Sequence, residues 1–314
     1  MKPHLSGAGL EFRRPVPDMD DTAQLEIAEG VLLGHAMVHR LAEGLGIRAF
    51  FIKGPGSVLQ GLRAPRISAD VDVFVPPSGL GPLLQALQDR GWRERPVDPD
   101  TRTFPRHSVT VDHAMWPCCI DIHFRFPGME KPALDCFEAM WVNTNSLDLA
   151  GQKVRVPSKA LGILILALHS LRSPESPSCR QELEFLSGLI RQRSAATSLL
   201  DIAEETGSLA ALRPFLEDTL PKGTIQEWPE PSKEWRNRVA AREPGSARLL
   251  AILQAPLGEK PLLVWRAVFP RREVLLSKDI YADMSFLGRV AQHRARWARF
   301  LQALPRVVSD IRRR

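Results

Sequence analysis

Two aspartates separated by one residue, Asp70 and Asp72, lie within a run of β-forming residues. Alternate side chains of a strand share a face, so both carboxylates project together while Val71 and Val73 point into the core. Two negative charges this close repel each other unless a cation neutralises them, and Mg²⁺, which prefers oxygen ligands, is the usual one. The spacing predicts a divalent metal site, with a solvent-facing acid pair on an edge strand as the alternative.

A glycine-containing turn, Lys53-Gly54-Pro55-Gly56-Ser57, follows an earlier β-rich run that ends at Ile52. Such a turn exposes backbone N–H groups at the start of a helix, where phosphate binds readily. A phosphate-binding turn beside a metal-holding acid pair is typical of metal-assisted phosphoryl or nucleotidyl transfer. A structural turn that binds no ligand is the alternative.

These residues resemble the signature of the DNA polymerase β-type nucleotidyltransferase superfamily. Lys53-Gly54, Arg66 and Asp70-Val71-Asp72-Val73-Phe74-Val75 resemble, more narrowly, a family of uncharacterised bacterial nucleotidyltransferases. The similarity continues through Ile120-Asp121-Ile122-His123 and Ala267-Val268-Phe269-Pro270. It implies two Mg²⁺ ions, with Mn²⁺ as an alternative, an NTP substrate, and three catalytic and metal-binding carboxylates: Asp70, Asp72 and Asp121.

The resemblance also implies which residues hold the nucleotide. The predicted phosphate-binding residues are Lys53, Gly54, Gly56, Ser57 and Arg66. Two registers of the turn stay open, one with Gly56-Ser57 and one with Gly54 in the central role, and in the second Pro55 offers no N–H donor. Lys53 could instead be a surface lysine, and Arg66 could pair with the acids rather than with phosphate.

Two further residues share a face with Asp121 by the two-residue period of a strand. These are His123 and Arg125, which we interpret as acceptor-side candidates. A hydrogen-bonded sheet histidine is an equally good interpretation of His123. We interpret His107, His113 and His169 as structural.

The elements that position these residues predict an α+β fold. A helix over 21–43, a strand over 48–53, a helix over 57–62 and the acidic strand over 70–75 lead into a helix over 78–90 and strands over 92–97, 107–115 and 118–126. This order predicts a mixed sheet with helices on it, as in the polymerase β-like nucleotidyltransferase core.

Beyond a short strand over 153–156 the pattern becomes helical, with helices predicted over 158–171, 179–191, 195–206, 208–220, 233–242, 245–254 and 285–303. We therefore predict a flexible N-terminal arm over 1–20, a nucleotidyltransferase core over 21–156 and an all-helical domain over 157–314. The last domain is basic towards its end, since residues 260–314 hold 13 Lys and Arg against 4 Asp and Glu. We favour a solvated helix face with a frayed arginine tail as the explanation of that charge, and binding to nucleic acid or to a phosphorylated partner is the alternative.

Composition narrows the class of protein. The longest apolar run is far shorter than the roughly 20 residues of a membrane-spanning helix, and no signal peptide precedes the core. The four cysteines show neither metal-ligand spacing nor a disulfide framework, which favours a reducing cytoplasm. Trp residues form no ladder of the kind that binds single strands.

We conclude from the sequence that a metal-dependent enzyme moves a nucleoside monophosphate, AMP by preference, from an NTP to a hydroxyl or phosphate acceptor. A small molecule or a peptide is favoured as the acceptor over tRNA. One alternative is an ATP-dependent phosphotransferase that uses the same site. The other is an inactive nucleotide-binding or antitoxin-like module, which the presence of all three acids argues against.

Overall fold

A five-stranded mixed sheet carries the acidic residues. The computed structural model describes residues 25–96, 104–191, 196–241, 246–270, 274–275 and 283–312. The strands are β1 (Phe50–Phe51), β2 (Asp70–Phe74), β3 (Arg93–Glu94), β4 (Ser108–Asp112) and β5 (Cys119–His123). They are ordered β1-β2-β5-β4-β3, and only β2 and β5 run parallel. The predicted mixed sheet is confirmed, and it places two acidic strands side by side.

Helices cover one face of this sheet. They are α1 (Ile27–Gly44) and α3 (Leu80–Gln88), with a 3₁₀ turn (Pro77–Gly79) before α3. Both pack on the valines and isoleucines of β2, β4 and β5. Gly34 lets α1 approach closely, because a Cβ there would lie only 2.9 Å from Cγ2 of Val71. The acidic side chains therefore project from the opposite face.

The glycine turn opens directly into helix α2 (Gly54–Leu59). The sequence predicted this helix over 57–62, so its start is three residues earlier than expected. The prediction treated Pro55 as part of the turn, whereas proline is well tolerated in the first turn of a helix, where its missing N–H is not needed. Gly54 has a φ of +51°, a left-handed conformation that glycine adopts more easily than other residues.

Lys53 has a backbone conformation that glycine adopts far more easily, with φ 60° and ψ −145°. We expect Lys53→Gly to be more stable than Lys53→Ala by about 1 kcal/mol or more, because only glycine relieves a strain that costs roughly 1–3 kcal/mol. Both variants lose the same ammonium group, so each is the other's control. Free energies of unfolding from urea titrations measure the difference, and an alanine variant at least as stable as the glycine variant would contradict it.

A β-hairpin and a helix join the sheet to the rest of the chain. The helix is α4 (Ala133–Val142), and the hairpin pairs β6 (Thr144–Leu149) with β7 (Gln152–Pro157). Ala150 and Gly151 form its turn with φ of 48° and 70°, as a two-residue hairpin turn with right-handed strand twist requires. The sequence predicted neither α4 nor β6, and it placed a strand only over 153–156.

The described residues after β7 form helices and loops alone. The helices are α5 (Lys159–Leu171), α6 (Pro177–Arg191), α7 (Ala196–Thr206), α8 (Leu209–Thr219), α9 (Lys233–Ala240), α10 (Ser246–Gln254), α11 (Lys260–Val268) and α12 (Phe286–Arg312), with a 3₁₀ turn (Leu257–Glu259) before α11. The α+β fold class is thereby confirmed. The predicted N-terminal arm over 1–20 lies outside the described residues.

Helix α5 is the centre of the helical part. Eleven of its thirteen residues are buried. One apolar cluster contains residues of the four helices α5, α6, α7 and α8 together with Phe50, Ile52 and Phe74 of the sheet region. This cluster has members on both sides of residue 157, where the helical domain was predicted to begin, so the helices and the acidic face of the sheet share a core. The division into domains stays a prediction.

Among the described residues, no helix combines the length and the apolar character needed to cross a membrane.

Candidate functional site

Asp72 and Asp121 lie directly side by side. They are paired residues on the parallel strands β2 and β5, so their side chains share one face. Nε2 of His123 lies 2.8 Å from Oδ1 of Asp72 and 3.1 Å from Oδ2 of Asp121. One side-chain atom from each of these three residues falls within 4.8 Å of the others. The structure thus brings together two of the three predicted acids and adds a histidine between them.

Asp70 is the next residue along β2 on this face. It lies outside the three-residue group, and its carboxylate accepts a 3.0 Å hydrogen bond from Ser68. Burial and the nearby charge of Asp72 raise the pKa of Asp70 above its ordinary value, although Ser68 and Lys53 act in the opposite direction. Of the two β2 acids, Asp70 therefore holds a proton more readily.

The glycine turn lies against the acids. Nζ of Lys53 donates a 2.9 Å hydrogen bond to Oδ1 of Asp72, and both groups are nearly buried. A Cβ on Gly54 would lie 3.8 Å from Oγ of Ser68, the hydroxyl that bonds Asp70. Lys53 is therefore not a surface lysine, and the Lys53-Gly54 part of the turn borders the acidic face.

The other predicted phosphate-binding residues differ in their surroundings. Gly56 is buried, and a Cβ there would lie 3.2 Å from Cγ1 of Val156 in the hairpin. Ser57 is buried as well, whereas Arg66 is exposed, and its charge acts on Glu182. This arrangement gives Gly56 a packing role and favours the register in which Gly54 borders the ligand.

The carboxylate of Asp121 is held by several hydrogen bonds. Thr110 on β4 donates a 3.0 Å bond to Oδ1, and Nε2 of His123 lies 3.1 Å from Oδ2. Burial acts to raise the pKa of Asp121, but the hydrogen bond and charge of His123 and the bonds from Ser108 and Thr110 outweigh it and lower the pKa. Thr110 was not predicted from the sequence as a partner of Asp121. The pattern that could have indicated it is the alternation of polar and apolar residues along β4, the strand paired with β5.

His123 is fully enclosed and bridges the two acids. Burial lowers the pKa of His123, but hydrogen bonds to Asp121 and Asp72 raise it by a larger amount, so the net shift of the pKa is upward. Nδ1 of this ring is buried without a hydrogen-bond partner, and the ring stacks on Phe74 at 6.3 Å. These contacts fit a residue that holds the acids in place more than one that meets an acceptor.

Lys53 and His123 in turn lower the pKa of Asp72. Burial raises its pKa, but the charge of Lys53 and the hydrogen bonds from His123 and Lys53 prevail and lower the pKa to about 2. The group therefore stays ionised at any working pH.

These shifts predict how folding stability depends on pH in metal-free buffer. The lowered pKa of Asp72 and Asp121 contributes stability that is complete above about pH 4 and is lost as pH falls towards about 2. The raised pKa of His123 contributes stability that is complete below about pH 6.5 and is lost as pH rises through its folded value. The raised pKa of Asp70 also makes folding less stable as pH rises, in this case above about pH 4, because the folded protein then has to ionise a carboxyl group that holds its proton more tightly than in the unfolded chain.

Denaturant unfolding between pH 2.5 and 9 with a chelator present measures this profile. We expect an acid limb from Asp72 and Asp121, and a decline above pH 6.5 that is smaller in His123→Gln. Equal declines above pH 6.5 in the variant and the wild type would contradict the assigned role of His123.

Arg125 links the sheet to the helices. Its guanidinium donates a 3.0 Å bond to Glu234 on α9, and Glu234 also pairs with Arg238 at 2.9 Å. His107 lies nearby, with its ring 6.0 Å from that of His123. Burial and the charges of Arg238 and His123 lower the pKa of His107 to about 2, so this ring is neutral.

The residues present fit a divalent metal. Three carboxylates on one face supply hard oxygen donors, and hydrogen bonds from three neighbouring residues already hold two of them in fixed orientations. His123 supplies a nitrogen, a ligand that Mg²⁺ rarely uses, so the oxygens of Asp70, Asp72 and Asp121 are the better candidate ligands.

A family described as uncharacterised nucleotidyltransferase matches residues 23–217, more than half of the chain. The chain belongs to this family. The nucleotidyltransferase resemblance and the enzyme class predicted from the sequence are thereby confirmed. The acids, the Lys53-Gly54 turn and helices α1 to α7 all lie within the matched residues of this nucleotidyltransferase. No curated protein matches the chain.

Solved structures similar to this nucleotidyltransferase share little sequence with it. The solution structure of the antibiotic-resistance factor ANT(2'')-Ia is 17% identical, with a TM-score of 0.38, and the match covers 60% of this chain and 95% of that one. An antigenic nucleotidyltransferase-like protein from Paracoccidioides brasiliensis is 13% identical, with a TM-score of 0.38 and coverage of 63% and 97%. The lincosamide antibiotic adenylyltransferase LnuA, lincomycin-bound, is 14% identical, with a TM-score of 0.33 and coverage of 49% and 94%.

Proposed function

We propose that this nucleotidyltransferase uses Mg²⁺ to move AMP from ATP to a hydroxyl or phosphate group of a small molecule or peptide. The observation that carries the proposal is the pairing of Asp72 with Asp121 on parallel strands, with the Lys53 ammonium 2.9 Å from Asp72. Two neighbouring carboxylates suit divalent metal, and a cation beside them suits the phosphates of a nucleotide.

Asp70, Asp72 and Asp121 would hold the metal. When bound, Mg²⁺ neutralises charge on the triphosphate and lowers the pKa of an attacking hydroxyl. Lys53 is placed to contact the phosphates that leave, since its ammonium already lies beside Asp72. Gly54 borders the same face and leaves room for phosphate because it has no side chain.

The reaction forms one bond and breaks one. The acceptor oxygen bonds to the α-phosphorus of ATP, and the bond between that phosphorus and the oxygen bridging to the β-phosphorus breaks, so pyrophosphate departs. A hydroxyl acceptor also loses a proton. That proton would pass to solvent water, because the carboxylates of Asp70, Asp72 and Asp121 would be engaged with the metal.

Labelled ATP tests this function. The protein is incubated with Mg²⁺ and either α-labelled or γ-labelled ATP, in separate reactions with small-molecule, peptide and tRNA fractions of a cell extract. We expect the α label in a new product, pyrophosphate release, and no product after addition of EDTA. Transfer of the γ label with release of ADP would show a phosphotransferase instead, and transfer of neither label would favour an inactive nucleotide-binding module.

A further inference from the structure

Arg172 follows the last turn of α5. Four other basic residues near the acidic face have a carboxylate partner: Lys53 bonds Asp72, Arg63 bonds Glu182, and Arg125 and Arg238 bond Glu234. Arg172 bonds only His169, through its Nε to the backbone oxygen at 3.3 Å and through Nη2 to the ring Nδ1. Among the residues that the structure describes, no carboxylate forms an ion pair with Arg172.

This guanidinium is partly buried and follows a helix that packs on the acidic face of the sheet, since α5 shares an apolar cluster with Phe74, on the same face of β2 as Asp72. Burial and the charge of Arg238 lower the pKa of Arg172, while the charges of Asp72 and Asp121 act to raise it. A partly buried cation without a bonded anion contributes little to stability by itself, so such a group is a candidate for binding a ligand.

His169 fixes the direction of this guanidinium. Because Nη2 of Arg172 can only donate, Nδ1 of His169 accepts and the ring proton resides on Nε2. Burial and the charges of Arg172 and Lys53 lower the pKa of His169 to about 2, so the ring stays neutral. Ser170, which lies between His169 and Arg172 in the chain, donates a 2.6 Å hydrogen bond to Glu182, the partner of Arg63, so this end of α5 lies beside the segment that follows α2.

We propose that Arg172 binds the β- and γ-phosphates of the nucleotide, with His169 as the residue that positions it. This assignment rests on the proposed function. The guanidinium is planar and can meet two phosphate oxygens at once. It follows a helix that packs on the acidic face, whereas Lys53 belongs to the glycine turn.

Nucleotide affinities test the assignment. Isothermal titration with Mg²⁺ compares ATP, ADP and AMP on the wild type, on Arg172→Met, and on Arg213→Met, a control at an exposed arginine of α8. We expect Arg172→Met to weaken ATP binding at least about 10-fold and AMP binding less than about 2-fold, since only ATP carries the contacted phosphates. Arg213→Met should match the wild type, and Arg172→Met should melt no lower than the wild type.

Three results would overturn it. Equal ATP affinity in Arg172→Met and the wild type removes this assignment and leaves the proposed function standing. An equal loss for AMP and ATP also removes it, because the effect would then not come from the outer phosphates. Failure of the wild type to bind ATP removes the proposed function together with the assignment.

His169 variants separate positioning from packing. His169→Asn keeps an acceptor oxygen close to the place of Nδ1, whereas His169→Leu has none. We expect the leucine variant to lose ATP affinity about as Arg172→Met does, and the asparagine variant to recover most of it. Equal ATP affinities in the two variants would show that His169 does not position Arg172.

Discussion

Asp72→Asn is expected to reduce nucleotidyl transfer by on the order of 1,000-fold, the loss seen when a reaction loses a principal stabiliser of its transition-state charge. Asparagine keeps the shape of the side chain and removes the charge. Asp72 is the carboxylate that contacts both Lys53 and His123, so the change affects the metal site and both of its neighbours. Release of pyrophosphate from ATP, with the acceptor identified by labelling, measures the rate.

The same variant should also be less stable in metal-free buffer. Lys53 and His123 are both nearly buried, and both lose their charged partner, which typically costs about 3–5 kcal/mol in a buried pair.

Asp70→Ala is the matched comparison on the same strand. It should abolish turnover with little loss of folding, because it removes one of two like charges whose proximity raises the pKa of Asp70. Undiminished activity in either variant would contradict the site, and equal losses of stability in both would contradict the different roles of the two acids.

Glu182→Gln is expected to lower the free energy of unfolding by about 3–5 kcal/mol, the usual cost of breaking a buried ion pair. The side chains of Glu182 and Arg63 are only 12% and 5% exposed, and Ser170 donates a 2.6 Å bond to the same carboxylate. This pair joins the segment after α2 to helix α6, so it fixes the helices to the acidic face. Urea unfolding measures the loss.

A double variant provides the control for this pair. Arg63→Met combined with Glu182→Leu removes both charges and replaces them with apolar groups of similar size, which is often neutral. We expect the double variant to recover most of the stability that Glu182→Gln loses. A double variant less stable than the single variant would show that the pair contributes through more than its charges.

The acidic face could be predicted from the sequence because it depends on local rules. Alternation on a strand places Asp70 with Asp72, and it places Asp121 with His123, whatever the rest of the fold does. The direct pairing of Asp72 with Asp121 could not be predicted in this way. This pairing requires β5 to lie between β2 and β4 in the sheet. The residue pattern of a single strand predicts neither the order of the strands nor their register.

The helical side of the site was beyond sequence reasoning for a different reason. Helix α5 is apolar nearly all round, so its pattern does not show which turn approaches the acids. We interpreted His169 as a structural histidine, and we did not single out Arg172 at all. Only the packing of α5 across the sheet shows that both residues lie near the acidic face.

Errors in the elements also have particular causes. Strand β6 reads Thr-Asn-Ser-Leu-Asp-Leu, which has few β-branched residues and only partial alternation, so nothing in it outweighs a loop assignment. Helix α2 begins three residues before its predicted start because Pro55 is favourable in the first turn of a helix. The backbone conformation of Lys53, which precedes the helix, is one that no sequence rule assigns to lysine.

Titration of Mn²⁺ followed by electron paramagnetic resonance tests the central claim most directly, since free and bound Mn²⁺ give different signals. The wild type and Asp121→Asn are compared with a non-hydrolysable ATP analogue present. We expect the wild type to bind Mn²⁺ and Asp121→Asn to bind it at least about 10-fold more weakly, because a carboxylate beside Asp72 is lost. Equal Mn²⁺ affinity in the two proteins would show that these acids do not form the metal site.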